Sequence, residues 1–89
     1  MNQSLDEPIS VMFSSVGATR ESPASVRPIS LIWSGRTYPI LKVGLHHRTY
    51  KGETLAHVFS VVGNNIFFRI ELNTDTLLWR LQEVSDGEP

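Results

Sequence analysis

From Ile66 the chain alternates with a period of two. Ile66, Phe68, Ile70 and Leu72 take one parity, and Phe67, Arg69 and Glu71 take the other. Such alternation places successive side chains on opposite faces of a strand, and no stretch of useful length repeats at i, i+3, i+4 and i+7 as a helix would. The same reading extends backwards along the chain. "PISVMFSSV" (residues 8–16) is a Pro-led strand, and "PISLIWSG" (28–35) opens a second, so alike that both read as strands meeting the same packing demand. Between them "GATRESPASVR" is small, polar and Pro-containing, the composition of a loop over residues 17–27.

Gly and Asn set the turns. Ser34-Gly35 predicts a two-residue hairpin that brings Trp33 opposite Arg36, Ile32 opposite Thr37 and Leu31 opposite Tyr38. Pro39, which has no N–H, belongs at a bulge or an outward position, and beyond it Leu41, Val43 and Leu45 share one face. Further turns fall at Lys51-Gly52 and Gly63-Asn64-Asn65. Asn73-Thr74-Asp75-Thr76 then reverses the chain so that Leu72 pairs with Leu77 and Arg69 falls opposite Arg80; Leu77, Trp79 and Leu81 point inward. About six strands with short connections predict an all-β domain, a strongly curled antiparallel sheet or small SH3-like barrel. Its expected core is Leu31, Leu41, Val43, Phe59, Val61, Phe68, Ile70, Leu72, Trp79 and Leu81. The expected domain covers residues 8–84, between a flexible tail at 1–7 and an acidic one at 85–89.

Size and composition limit what such a domain does. Its 89 residues form one domain, and without cysteine there are no disulfides or thiolate metal sites, so packing alone must stabilise it. No basic start followed by an apolar run marks a secretory signal, and no apolar run is long enough to span a bilayer, which points to the cytoplasm. Net charge is −1, yet residues 27–57 carry Arg27, Arg36, Lys42, Arg48 and Lys51 against Glu53 alone, with all three histidines besides. Acids predominate on either side of that segment.

The blocks "DEPISV", "IWSGRTYPILKV" and "LLWRLQEVSDG" resemble a family of small bacterial domains of unknown function. That family combines a Pro-led strand, a Trp-x-Gly-Arg-x-Tyr hairpin and a terminal Trp-x-Leu-x-x-Val-Asp strand. Trp33, Gly35, Arg36 and Tyr38 match the hairpin; Trp79, Leu81, Val84 and Asp86 match the last block. The family places further tryptophans where this chain has "LHHRTYKGETLAH", and an aliphatic residue where it has Ile40. The resemblance implies a compact β fold and no particular activity, with a pointer to nucleic-acid metabolism, since similar segments occur near or within bacterial DNA-repair polymerase accessory proteins.

Catalysis finds no foothold in the sequence. There is no glycine-flanked nucleophile, P-loop or paired-carboxylate motif, and a β domain this small offers little volume for a pocket of ~300 Å³ or more. His46 and His47 would point to opposite faces, so one at most joins His57, and neither a metal nor a cofactor is expected. What remains is binding. Trp33, Arg36 and Tyr38 read as a hairpin clasp, Arg36 lying over the indole, or as a stacking surface with Lys42 and Arg48 supplying charge. Phe67, Arg69 and Arg80 form a second candidate surface, read as an ion-pair face involving Glu71 in preference to an anion site. The expected function is a non-catalytic module that contacts a protein partner or itself through an edge strand, for which "PISVMF" is the candidate. Single-stranded nucleic acid or another anionic polymer, held by the basic segment, is the alternative.

Overall fold

The computed structural model describes residues 2–15 and 26–86 and contains strands and turns but no helix. Seven strands form it: β1 (Asn2–Ser15), β2 (Val26–Trp33), β3 (Arg36–Pro39), β4 (Lys42–Lys51), β5 (Thr54–Gly63), β6 (Ile66–Asn73) and β7 (Trp79–Ser85). They make one sheet in the order β3-β2-β1-β7-β6-β5-β4, and every neighbouring pair is antiparallel. The Cα trace measures 33 × 27 × 25 Å, too deep for a flat sheet, whose own layer is only about 10 Å thick. The sheet is curled into a half-barrel.

Connectivity explains the curl. β3 and β4 are the two edges of the sheet, yet only Ile40 and Leu41 separate them in the chain. Ile40 N donates to Ile29 O on β2, and Leu41 N donates to Val62 O on β5, both at 2.8 Å. Together β3 and β4 are thus one long strand, broken at its middle, whose two ends pair with opposite sides of the sheet. β1 is shared in the same way, pairing with β7 over Asn2–Ile9 and with β2 over Ser10–Ser15.

Turn chemistry sets three of the hairpins. Ser34 and Gly35 both take positive φ, as do Asn64 and Asn65, the conformation that twists a two-residue loop to suit its strands. Trp33 faces Arg36, Ile32 faces Thr37 and Leu31 faces Tyr38, as the sequence predicts. The Asn64-Asn65 turn leaves Gly63 inside β5, where it is needed for another reason: a Cβ there would lie 2.3 Å from Pro39 O. Gly52 opens the third turn, one residue later than predicted, with Glu53 beside it and Lys51 paired with Thr54.

Leu31, Phe59, Val61, Phe68, Ile70, Leu72, Trp79 and Leu81 form the core, with Ile9, Val11, Val26, Val43 and Val84 packed against it. Two members expected there depart from it. Leu41 is 70 % exposed, and Val43 is only half-buried at the border; Leu45, assigned to the same face, is 77 % exposed. Leu41 lies at the crossing between β3 and β4, and Leu45 is turned outward by a bulge. Between Val43, opposite Val61, and His46, opposite Phe59, both Gly44 and Leu45 face Ser60, and this resets the alternation.

The last hairpin differs as well. Leu72 faces Trp79, Arg69 faces Glu83 and Glu71 faces Arg80, so Arg69 and Arg80 are not opposed. The loop is longer than four residues because Asn73 organises it: its side-chain oxygen accepts from Asp75 N and Thr76 N, and its carbonyl accepts from Leu77 N. Leu77 takes φ 61° and points to solvent instead of inward. At the start of the chain, β1 begins at Asn2, where a tail over residues 1–7 was expected. Of the loop at 17–27, Val26 and Arg27 belong to β2 and the remainder lies outside the described residues; of the acidic tail, Ser85 ends β7 and 87–89 lie outside.

Two substitutions test this packing. Leu31→Ala should cost about 2 to 5 kcal/mol, a large share of a small domain's stability, whereas Leu41→Ala should stay within about 0.5 kcal/mol. Equal losses in denaturant titrations would mean that Leu41 at the β3–β4 crossing is misplaced. Leu77→Asn keeps the N–H that Asn73 accepts and suits positive φ better than leucine, so it should raise the melting temperature by a few degrees, corresponding to ~1 kcal/mol.

Candidate functional site

The sheet does not close along its whole height. Among the described residues β2 pairs with β3 only over Ser30–Trp33, so on that side its first residues have no neighbouring strand, and β4 is bonded to β5 alone. Between the two lies a cavity of about 550 Å³, lined by Ser14, Val26, Arg27, Leu41, Lys42, Val43 and His46. This slit runs between two unpaired strand edges, and its volume exceeds what the sequence suggested.

Alternation determines what each residue offers the slit. Val26 and Val43 pack against the core, hence inward, and their neighbours Arg27 and Lys42 are exposed. His46 is opposite Phe59 and stacks on its ring at 4.7 Å between centroids; its Nε2 lies 3.1 Å from Nδ1 of His57, which is fully buried. His47 faces Val58 on the other side of the sheet, so only one of the adjacent histidines joins His57. Among the described residues no three His, Cys, Asp or Glu side chains gather as metal ligands. An imidazole pair of this kind needs at least one neutral ring to accept the bond.

The other candidates lie apart from the slit. Trp33 and Tyr38 are half-buried, 6.2 Å apart between centroids, and both pack on core Phe68 at 6.3 and 5.1 Å. Their ring contacts among the described residues are with each other and with Phe68, and Arg36 stands exposed at the hairpin end. Arg48 is opposite His57 on the far part of β4. On the outer face Phe67 is half exposed, but Arg69 is paired with Glu83 and Arg80 with Asp6. Glu71, buried on that outer face, instead accepts at Oε1 from Lys51 Nζ (2.8 Å) and Gln82 Nε2 (3.1 Å). The Lys51 side chain crosses β5 to reach it and pins the end of β4.

The edge itself corrects an expectation. "PISVMF" lies within β1, between β2 and β7, and is no edge. The long edge is β4, and Leu41 and Leu45 beside the slit and Tyr50 farther along are each at least 66 % exposed. One cue to this is legible along the chain, the basic segment itself, but the bulge that turns Leu45 outward has no signature beyond Gly44, whose added Cβ would meet Ser60 O at 3.3 Å.

No helix in the described residues is long and apolar enough to cross a membrane. No protein-family model, curated protein sequence or solved structure matches this chain.

The histidine pair predicts a pH dependence. Burial, and then the positive charge of His57, His47 and Arg48, holds His46 below the ordinary histidine pKa of 6.5. The unfolded chain therefore binds the proton more readily than the folded one, so stability is full above 6.5 and declines as pH falls towards the depressed value. Asp6, held below 3.8 by its bond to Arg80, loses its contribution only at more acid pH still. Melting temperatures between pH 8 and 5 should fall, and His46→Gln should flatten the slope. An unchanged slope in that variant would remove His46 as the cause.

Proposed function

We propose that this protein is a non-catalytic binding module whose partner is another protein, taken up as an extended strand along the free edge of β4. The observation that carries this reading is the slit: a ten-residue edge strand that, among the described residues, is bonded on one side only and faces the start of β2, likewise without a neighbour there, across an open cavity. Backbone N–H and C=O groups on such an edge recruit a strand by forming the missing ladder, and pockets for alternate side chains supply selectivity. Leu41 and Leu45 add apolar surface beside that edge.

Nucleic acid is the weaker reading. Stacking on bases needs open ring faces, and the Trp33 and Tyr38 rings are turned onto Phe68. Arg36 stands at the hairpin end, away from the slit-lining Arg27 and Lys42, so the basic segment forms no single track for a phosphate backbone.

Peptides selected from a random displayed library test the proposal. Binders should perturb backbone amide resonances of residues 42–51 and of Val26 and Arg27, and N-methylation at alternate peptide positions should abolish binding by removing ladder donors. Binders that perturb only other surfaces, or that tolerate N-methylation throughout, would overturn it. So would submicromolar, salt-sensitive binding of single-stranded DNA or RNA.

A further inference from the structure

We infer that the strand which fills the slit is acidic, alternating carboxylate with aliphatic side chains, and that it is not a second copy of this chain. The inference rests on the proposed uptake of a strand by β4 and adds the chemistry of the occupant.

Alternation supplies the first argument. A strand laid beside β4 sends every second side chain towards the barrel interior and the others outward. Inward, it meets Val26 and Val43 at the border of the core, with Ser14 and His46 also lining the slit, and the two valines favour an aliphatic side chain between them. Outward, its neighbours are Arg27 on one bank and Lys42 on the other. Among the described residues the ion pairs engage Lys51, Arg69 and Arg80; neither Arg27 nor Lys42 is bonded to a carboxylate. Two cations with no carboxylate partner among the described residues flank one narrow opening; they complement a carboxylate placed between them, and the arrangement repels a basic strand.

Charge and backbone irregularity on β4 both disfavour self-pairing. β4 carries Lys42, Arg48 and Lys51 and no acidic residue. Antiparallel registers of two copies across a twofold axis that set Lys42 against Lys42, Arg48 or Lys51 bring cation to cation, with no carboxylate on either strand to offset them, and like charges across a ladder are destabilising. The Gly44-Leu45 bulge further interrupts the regular edge that a second β4 would need. An acidic strand meets neither obstacle.

The test uses three synthetic peptides of about eight residues, a usual strand length: alternating Glu-Val, alternating Lys-Val, and octaglutamate. Each is titrated into the intact protein while backbone amides are followed. The Glu-Val peptide should perturb β4 and the start of β2 and weaken with salt. Reversing both banks in Arg27→Glu/Lys42→Glu should weaken it by about tenfold or more and transfer the preference to the Lys-Val peptide. Equal binding of Glu-Val and Lys-Val at β4 would overturn the acidic preference while leaving strand uptake standing. No perturbation of β4 by any peptide would count against both. Octaglutamate binding as tightly as Glu-Val would show anion capture without an apolar register, and overturn the inference. Light scattering at low and high protein concentration should report a monomer; a dimer whose β4 amides are protected from exchange would overturn the exclusion of self-pairing.

Discussion

The two edges of this sheet are one piece of chain. Because only Ile40 and Leu41 separate β3 from β4, a flat sheet would place covalently adjacent segments on opposite sides of seven strands, which the reach of two residues cannot allow. The sheet must curl until its edges meet. The N–H of Ile40 bonds to β2 and the N–H of Leu41 to β5, so the crossing is fixed within a single dipeptide. Curling then gathers one face of every strand around a shared interior, and this is how a chain of 89 residues buries Leu31, Phe59, Phe68, Ile70, Trp79 and Leu81 together without disulfides. Gly63 is a consequence of the same closure, since β5 and the end of β3 approach too closely there for any side chain.

Closure by a dipeptide is local, and the slit follows from that. Below the crossing, β2 turns its ladder to β1 and β4 turns its own to β5, so two edges are left facing a gap. Residues that would be core in a continuous β4 become surface: Leu41 at the crossing and Leu45 at the bulge. Their exposure is a product of backbone geometry, and scattered exposed leucines are ordinary on proteins. Here Leu45 lies on the same strand as Lys42 and Leu41 directly precedes it, both beside the slit that Val26 and Val43 border, which makes the surface useful to a partner as well as exposed.

Much of the architecture was legible because turn residues and alternation agree. Ser34-Gly35 fixes the Trp33–Arg36 register, and the run from Ile66 to Leu72 assigns the two faces of β6 correctly. The failures share one physical origin, which is that a bulge or an irregular turn inverts alternation without leaving a distinct residue behind. Gly44-Leu45 inverts β4; Leu77, a leucine at positive φ, lengthens the last loop and shifts Trp79 opposite Leu72. The N-terminal strand was hidden for another reason. "NQSLDE" has little intrinsic strand character, and it is ordered by pairing with β7, a partner some eighty residues away in the chain. That pairing also removes "PISVMF" from the edge. The candidate residues were legible singly and not as a set, since Lys42 joins Arg27 and His46 only after the slit has formed, whereas Trp33 and Tyr38 are drawn onto Phe68 by the demand for core.

An edge strand that must accept a partner faces a conflict, because the same unpaired groups invite any strand, including another copy. Natural edges resolve it with charge, bulges and brevity, and this one uses the first two while remaining ten residues long. Three cations with no acid on the strand disfavour its own kind, and the bulge confines a regular ladder to the segments on either side of Gly44-Leu45. The Lys51–Glu71 ion pair, reaching across β5, holds the far end of β4 against the body of the sheet. The short segment beside Arg27 and Lys42 is thereby left as the place where affinity and discrimination can both be set, by the few side chains that line it.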